Sequence, residues 1–379
     1  VAKQGGLRIV LAGMLAGDPR QGGATWAVLQ YLDGLAALGH DVLLIEPVPR
    51  RALERASATR TYFDSLPVDE DRVALLATET EETIGVSYTR LASFAAEADL
   101  LLNISGMLRH ERLLQEIDVR AFLDLDPGFN QVWHAQGEDM GFELHTHFVT
   151  VGGLLGTAGC PIPTHGRDWI ATLPPVVLDD WPVAPDPPSR DAFTSVGNWR
   201  SYGATEHEGI RYGQRAHSLR ELIGLPRRAD ARFELALGIH PQEAADVEAL
   251  SANGWRLLDP LRVAGTPDAY RDFVRSSKAE LCVAKSGYVA SRGGWFSDRS
   301  ACYLASGRPV AAQETGFAEL LPTGEGLLAF ATVDEAAQAT AEIDAHPERH
   351  RAAARALAAE HLDATKVLGR MLERLGATR

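Results

Sequence analysis

The chain is poor in cysteine, in long apolar runs and in positive charge. Its three cysteines, Cys160, Cys282 and Cys302, stand far apart and form no CxxC pair. An odd, scattered set excludes a disulfide framework or a zinc knuckle and fits a reducing, cytoplasmic compartment. The longest uncharged run, Phe148 to Thr164, is broken by glycines and prolines and is too short to span a bilayer. The opening Val1-Ala2-Lys3-Gln4-Gly5-Gly6 does not read as a signal peptide. Lys and Arg number 37 against 51 Asp and Glu, a net charge of −14. Phosphate contacts need clustered cations, so this balance argues against a nucleic-acid partner. What is present is ordinary for a globular chain: 45% hydrophobic and 23% charged residues over 379 positions, enough for two buried cores.

The patterning alternates strand and helix. Leu7 to Ala12 is a short apolar strand, followed by a loop ending in Gly22-Gly23. Ala24 to Leu38 carries Trp26, Leu29, Tyr31, Leu32, Leu35 and Leu38 at helical spacing, and Gly39-His40 stops it. Asp41 to Pro47 is a second strand, which makes a β-loop-α-β unit with parallel strands. Further strands read at Leu100 to Ile104, Ala121 to Leu125 and Phe148 to Val151. From Pro174 to Pro188 six of fifteen residues are proline, which excludes helix and central strand and predicts an extended tether. The alternation then restarts, with strands at Phe193 to Gly197, Phe233 to Gly238, Ala279 to Lys285, Pro309 to Ala312 and Gly326 to Phe330. Helices are expected at Asp268 to Ser276, at Asp298 to Ser306, and from Val333 onward with a break at His346-Pro347. The fold class is therefore α/β, with two Rossmann-like domains facing a central cleft. The expected division is residues 1–173, a linker 174–190, a second domain 191–355 and a last helix 356–379 packing back on the first domain.

Two stretches resemble signatures of the two-domain GT-B glycosyltransferases. One is Gly22-Gly23-Ala24 with Leu29, Leu32, Leu35 and Gly39-His40-Asp41-Val42. The other is Ala305-Ser306-Gly307-Arg308-Pro309-Val310 through Gly316, followed by Glu325-Gly326-Leu327-Leu328. The chain departs from the glycogen-synthase-like branch, which carries two glutamates before this turn; Gly294 and Cys302 stand there. It matches the plant-type inverting branch only faintly, at Arg292 to Ser297.

The resemblance implies a nucleotide-sugar donor on the second domain, an acceptor on the first, and neither metal nor separate cofactor. The acceptor it suggests is a small metabolite meeting loops near Arg50 to Arg72 and Pro127 to Glu143. A leaving diphosphate is stabilised by fixed positive ends. The candidates are Gly22 and Gly23, for close backbone approach, with Asn198 and Arg200 after the first strand of the second domain. Lys285 stands at another strand tip. Ser297, Asp298 and Arg299 open a helix that can face an anion. Glu314, Thr315 and Gly316 are candidates for sugar hydroxyls. Trp26 reads as core. For a general base the candidates are Asp126, at a strand tip, and the histidines His145 and His147, with His134 nearby. A sugar-nucleotide epimerase and a non-catalytic binding protein of the same fold remain as alternatives.

Overall fold

A computed structural model describes residues 5–377. Its first domain is an eight-stranded sheet: β1 (Arg8–Ala12), β2 (Asp41–Val48), β3 (Val73–Ala77), β4 (Thr83–Gly85), β5 (Leu100–Ile104), β6 (Arg120–Asp124), β7 (His147–Thr150) and β8 (Trp169–Ala171). The order is β4-β3-β2-β1-β5-β6-β7-β8, parallel except that β4 runs against β3. The second domain contains β9 (Arg190–Asn198), a hairpin of β10 (Thr205–His207) and β11 (Ile210–Tyr212), β12 (Phe233–Gly238), β13 (Arg256–Leu257), β14 (Ser277–Cys282), β15 (Val310–Gln313) and β16 (Leu327–Phe330). Its sheet is all parallel, in the order β13-β12-β9-β14-β15-β16.

The two sheets share a topology. Each runs outward from its first strand and then crosses back to start on the other side. The reversals fall between β1 and β5 and between β9 and β14. Open parallel sheets bind ligands at the carboxyl ends of strands beside such reversals. The strands are nearly continuous apolar runs because helices cover both faces: β3 and β5 are buried at every position.

The proline-rich stretch makes no helix, as proline demands, but it is a packed strap rather than a free tether. Val176 exchanges backbone hydrogen bonds with Leu362 and Ala364, at 2.8 and 2.9 Å. The backbone N–H of Val177 donates to Gln30 Oε1 at 2.6 Å. Trp181 is fully buried, edge-on to Trp26 with ring centroids 5.1 Å apart. The last helix, Ala364–Arg374, packs on the first-domain helix Gly22–Ala37. Gly34 permits that closeness, since a Cβ there would lie 2.7 Å from Leu368 and 2.8 Å from Ala364. Trp26 belongs to the core and ties the domains by donating Nε1–H to Pro267 O at 2.8 Å. Among the described residues no helix is long and apolar enough to cross a membrane.

Candidate active site

A cavity of about 500 Å³ opens where the two sheets' carboxyl ends face each other. The first domain contributes Arg20, Gln21, Gly23 and Ala24, from the loop after β1 and the helix it enters. The second contributes Gly197 and Asn198 at the tip of β9, Leu237 to Ile239 at the tip of β12, and Asp298 with Arg299. The helix Gly22–Ala37 has no side-chain cap and no acid in its first turn, so its free N–H groups present unopposed positive charge. Arg20 holds φ at +68° and has no carboxylate partner among the described residues. A non-glycine residue in that region is uncommon.

Beneath the cavity floor lies a buried charge cluster. Arg299 donates to Glu280, to Val196 O at 3.1 Å and to Cys282 Sγ at 3.3 Å. Arg215 donates Nε–H to Val283 O and Nη1–H to Asn198 O, both at 2.9 Å, bridging the tips of β14 and β9. It has no carboxylate partner among the described residues. Gly197, at φ +146°, makes room for it: a Cβ there would sit 2.5 Å from Arg215 Nη1. Burial and the nearby Arg299 lower the Arg215 pKa to about 10. Two buried guanidinium groups therefore face one carboxylate, Glu280, and one positive charge is left over beneath Gly197 and Asn198.

The expected site residues divide. Gly23, Asn198, Asp298 and Arg299 line the cavity. Gly22 adjoins it, but its missing Cβ serves the domain contact: a Cβ would fall 2.1 Å from Thr266 O. Ser297 is buried at the head of helix Asp298–Ala305, makes no side-chain cap, and leaves Oγ unpartnered. Arg299 is not a free phosphate ligand, because Glu280 neutralises it. Arg200 turns to Glu243, at 2.6 Å, and does not line the cavity. Glu314, Thr315 and Gly316 fold onto the loop before helix Asp298–Ala305. Glu314 accepts the Gly316 N–H, Thr315 Oγ1 donates to Trp295 O, and Gly294 N–H donates to Thr315 O at 2.8 Å.

Lys285 and Asp126 are brought together across the interface. Lys285 Nζ lies 3.0 and 2.9 Å from the two Asp126 oxygens, and the Tyr202 and Tyr288 hydroxyls donate to the same carboxylate. Asp126 is placed by Asp124, a fully buried carboxylate at the end of β6. Asp124 accepts from Asp126 N–H at 3.0 Å, from Gln131 and Thr150 at 2.8 Å each, and from Asn130. Burial raises its pKa, and the four donors oppose that rise.

The histidines lie elsewhere. His145 is buried with both ring nitrogens engaged, by Asn103 at 3.0 Å and Gly141 O at 2.7 Å, and burial lowers its pKa to about 4. It has no nitrogen free to take a substrate proton. His147 begins β7, so it sits at the amino end of a strand whose carboxyl end faces the cleft; three residues of strand place it roughly 10 Å from that end. His134 packs its ring 4.5 Å from Phe142, away from the cavity lining. Both histidines proposed as bases are corrected on these grounds.

One trio has metal-like spacing, Glu342, His346 and His350. His350 Nδ1 accepts the Gly326 N–H at 3.1 Å, which places the ring proton on Nε2, the atom facing Glu342 at 3.5 Å. A protonated nitrogen is no metal ligand.

Sequence reasoning missed Arg20, Arg215, Asp124 and Glu46. Glu46, within β2, is 1% exposed and holds the loop after β1 by accepting the N–H groups of Leu15, Ala16 and Gly17 at 3.0, 2.7 and 2.6 Å. An isolated glutamate inside an otherwise apolar strand was the available signal.

Residues 244–373 match the family model described as "Glycosyl transferase-like". No curated protein matches the chain. Among solved structures, it resembles an alpha-glucosyltransferase in complex with UDP-glucose and DNA containing an abasic site, at 13% identity and TM-score 0.64, over 97% of this chain and 98% of that one. It also resembles the Anabaena HepE protein in complex with UDP and glucose, at 12% identity and TM-score 0.58, over 98% of this chain and 100% of that one. A third is AviGT4, a glycosyltransferase involved in avilamycin A biosynthesis, at 15% identity and TM-score 0.55, over 98% and 97%. The first of these corrects the exclusion of nucleic acid: a transferase of this same fold is held with DNA. Net charge sums over the whole surface, whereas phosphate contacts depend on one local face. The chain thus has the two-domain GT-B glycosyltransferase fold, and within its second domain residues 244–373 are similar to the glycosyl transferase-like model.

Proposed function

We propose that this chain transfers a sugar from a nucleoside diphosphate donor to an acceptor hydroxyl, with the diphosphate lodged in the 500 Å³ cavity. The observation that carries this reading is Arg215, a buried cation without a carboxylate, at the β9/β14 reversal. A diphosphate there meets the N-terminus of helix Gly22–Ala37 and Arg20, over the Arg215 charge beneath Gly197 and Asn198. Leu237, Ile239 and Leu261 offer an apolar wall for a base. Asp298 is exposed in the cavity and, being acceptor-only when ionised, suits ribose or sugar hydroxyls rather than phosphate. Asp126 is the group we assign to the acceptor's proton. A groove of about 810 Å³ at the tips of β2, β3 and β5, lined by Pro47, Pro49, Met107 and His110, offers the acceptor a place on the first domain.

The test is calorimetric titration with UDP, GDP, TDP and ADP, without and then with divalent metal. One nucleotide should saturate, and Arg215→Met should weaken it by about tenfold to a hundredfold, through loss of the buried positive charge beneath the site. Binding of none of the four, or equal binding by the variant, sinks the reading. Turnover with the binding nucleotide's sugar is then compared between small polyols and duplex DNA bearing hydroxymethyl bases.

A further inference from the structure

Asp126 cannot act as a base in the arrangement observed. A carboxylate has about four lone-pair positions, two on each oxygen. Oδ1 receives Lys285 and Tyr288, and Oδ2 receives Lys285 and Tyr202. Lys285 is as fully engaged. Its ammonium also reaches the Tyr202 hydroxyl, and it lies 4.3, 5.1 and 5.3 Å from the ring centroids of Tyr202, Phe129 and Tyr288. Three of the four members belong to the second domain, while Asp126 belongs to the first. The cluster is a clasp across the cleft, and its carboxylate is closed to substrate.

We propose that donor binding opens this clasp: the diphosphate draws Lys285 away from Asp126 and so frees the carboxylate to take the acceptor's proton. The proposal rests on the donor-cleft reading above. Breaking a buried pair by removing one partner is strongly unfavourable, because the other charge is left uncompensated. Lys285 therefore leaves Asp126 only for another anion. Arg215 donates Nε–H to Val283 O at 2.9 Å, two residues before Lys285, and burial together with the Arg215 charge lowers the Lys285 pKa. An anion held by Arg215 thus lies within the field of Lys285. Once freed, Asp126 accepts the acceptor hydroxyl proton. The acceptor oxygen bonds to the anomeric carbon, and the nucleoside diphosphate leaves with the electron pair of the broken bond. Catalysis is in this way withheld until the donor is seated.

Zero-length carbodiimide coupling tests this directly, since it joins a carboxylate to an amine in contact with loss of water. The Asp126–Lys285 linked peptide should form in the nucleotide-free protein and be read by mass spectrometry. If saturating nucleotide favours the open clasp by a factor of ten, the yield falls about tenfold. Calorimetry on the same samples separates the outcomes. Bound nucleotide with undiminished cross-link, or no cross-link in the free protein, overturns the clasp alone. Absence of binding by UDP, GDP, TDP and ADP overturns the donor reading and the clasp with it.

Discussion

Replacing Glu46 by glutamine should change how stability depends on pH. The carboxylate is buried, and desolvation raises its pKa from 4.5 to about 7 against the opposing effect of three backbone N–H donors. In the unfolded chain it titrates near 4.5, so between these values the folded state binds more protons than the unfolded state. Stability from this group is complete below pH 4.5, is lost as pH rises from there through about 7, and changes no further above that. The interval corresponds to about 3 kcal/mol. Glutamine is neutral throughout. It keeps one acceptor oxygen for the loop and points an NH₂ at the remaining donor, much as the protonated acid points its hydroxyl there. The two proteins should therefore be similar near pH 5, and by pH 8 glutamine should gain about 3 kcal/mol relative to wild type. For a domain of this size that is roughly 6 to 12 °C in Tm. The assay is thermal or urea unfolding of both proteins from pH 5 to 8, read as the difference between them. A difference that stays constant with pH refutes the placement of Glu46 in a desolvated nest.

Other substitutions separate structure from chemistry. Arg299→Ala strips the partner from Glu280, whose side chain is fully buried, and should cost about 3–5 kcal/mol in chemical denaturation. Arg299→Met with Glu280→Leu should recover most of it. Gly22→Ala drives a Cβ into the Thr266 carbonyl, a rigid backbone partner, and should cost about 1–3 kcal/mol in unfolding experiments and weaken nucleotide binding by shifting the domains. His145→Ala removes the partner of Asn103 and Gly141 and should lower stability by about 1–3 kcal/mol while leaving kcat unchanged.

The layout of the two sheets was legible because buried parallel strands leave continuous apolar runs between helical periods. The failures have physical causes. β3, Val73-Ala74-Leu75-Leu76-Ala77, lies in an apolar run too short for periodicity to tell helix from strand. The helix Phe129–Ala135 stayed hidden because its buried side is partly polar: Asn130 and Gln131 face inward to satisfy Asp124. An apolar pattern cannot reveal a helix whose inward face is chosen for hydrogen bonding. The segment was read instead as an acceptor loop, whereas Phe129 packs edge-on to Tyr202, Tyr212 and Tyr288 of the other domain.

The candidate site was legible in place but not in role, and the arginines show why. Arg200, Arg299, Arg215 and Arg20 all fall near strand tips or helix starts, where cations for a phosphate are expected. What each can do depends on whether a carboxylate lies within reach. That carboxylate comes from a distant part of the chain: Glu243 for Arg200, Glu280 for Arg299, and none for Arg215 or Arg20 among the described residues. Spacing along the sequence reports neither partner. The same holds for Asp126, whose strand-tip position marked it as a base, while its occupied lone pairs depend on Lys285, 159 residues further on. A buried cation left unpaired is a standing cost in the folded chain. Arg215 bears that cost at the sheet reversal where a ligand would relieve it, which is why it, rather than the more conspicuous Arg299, carries the functional argument.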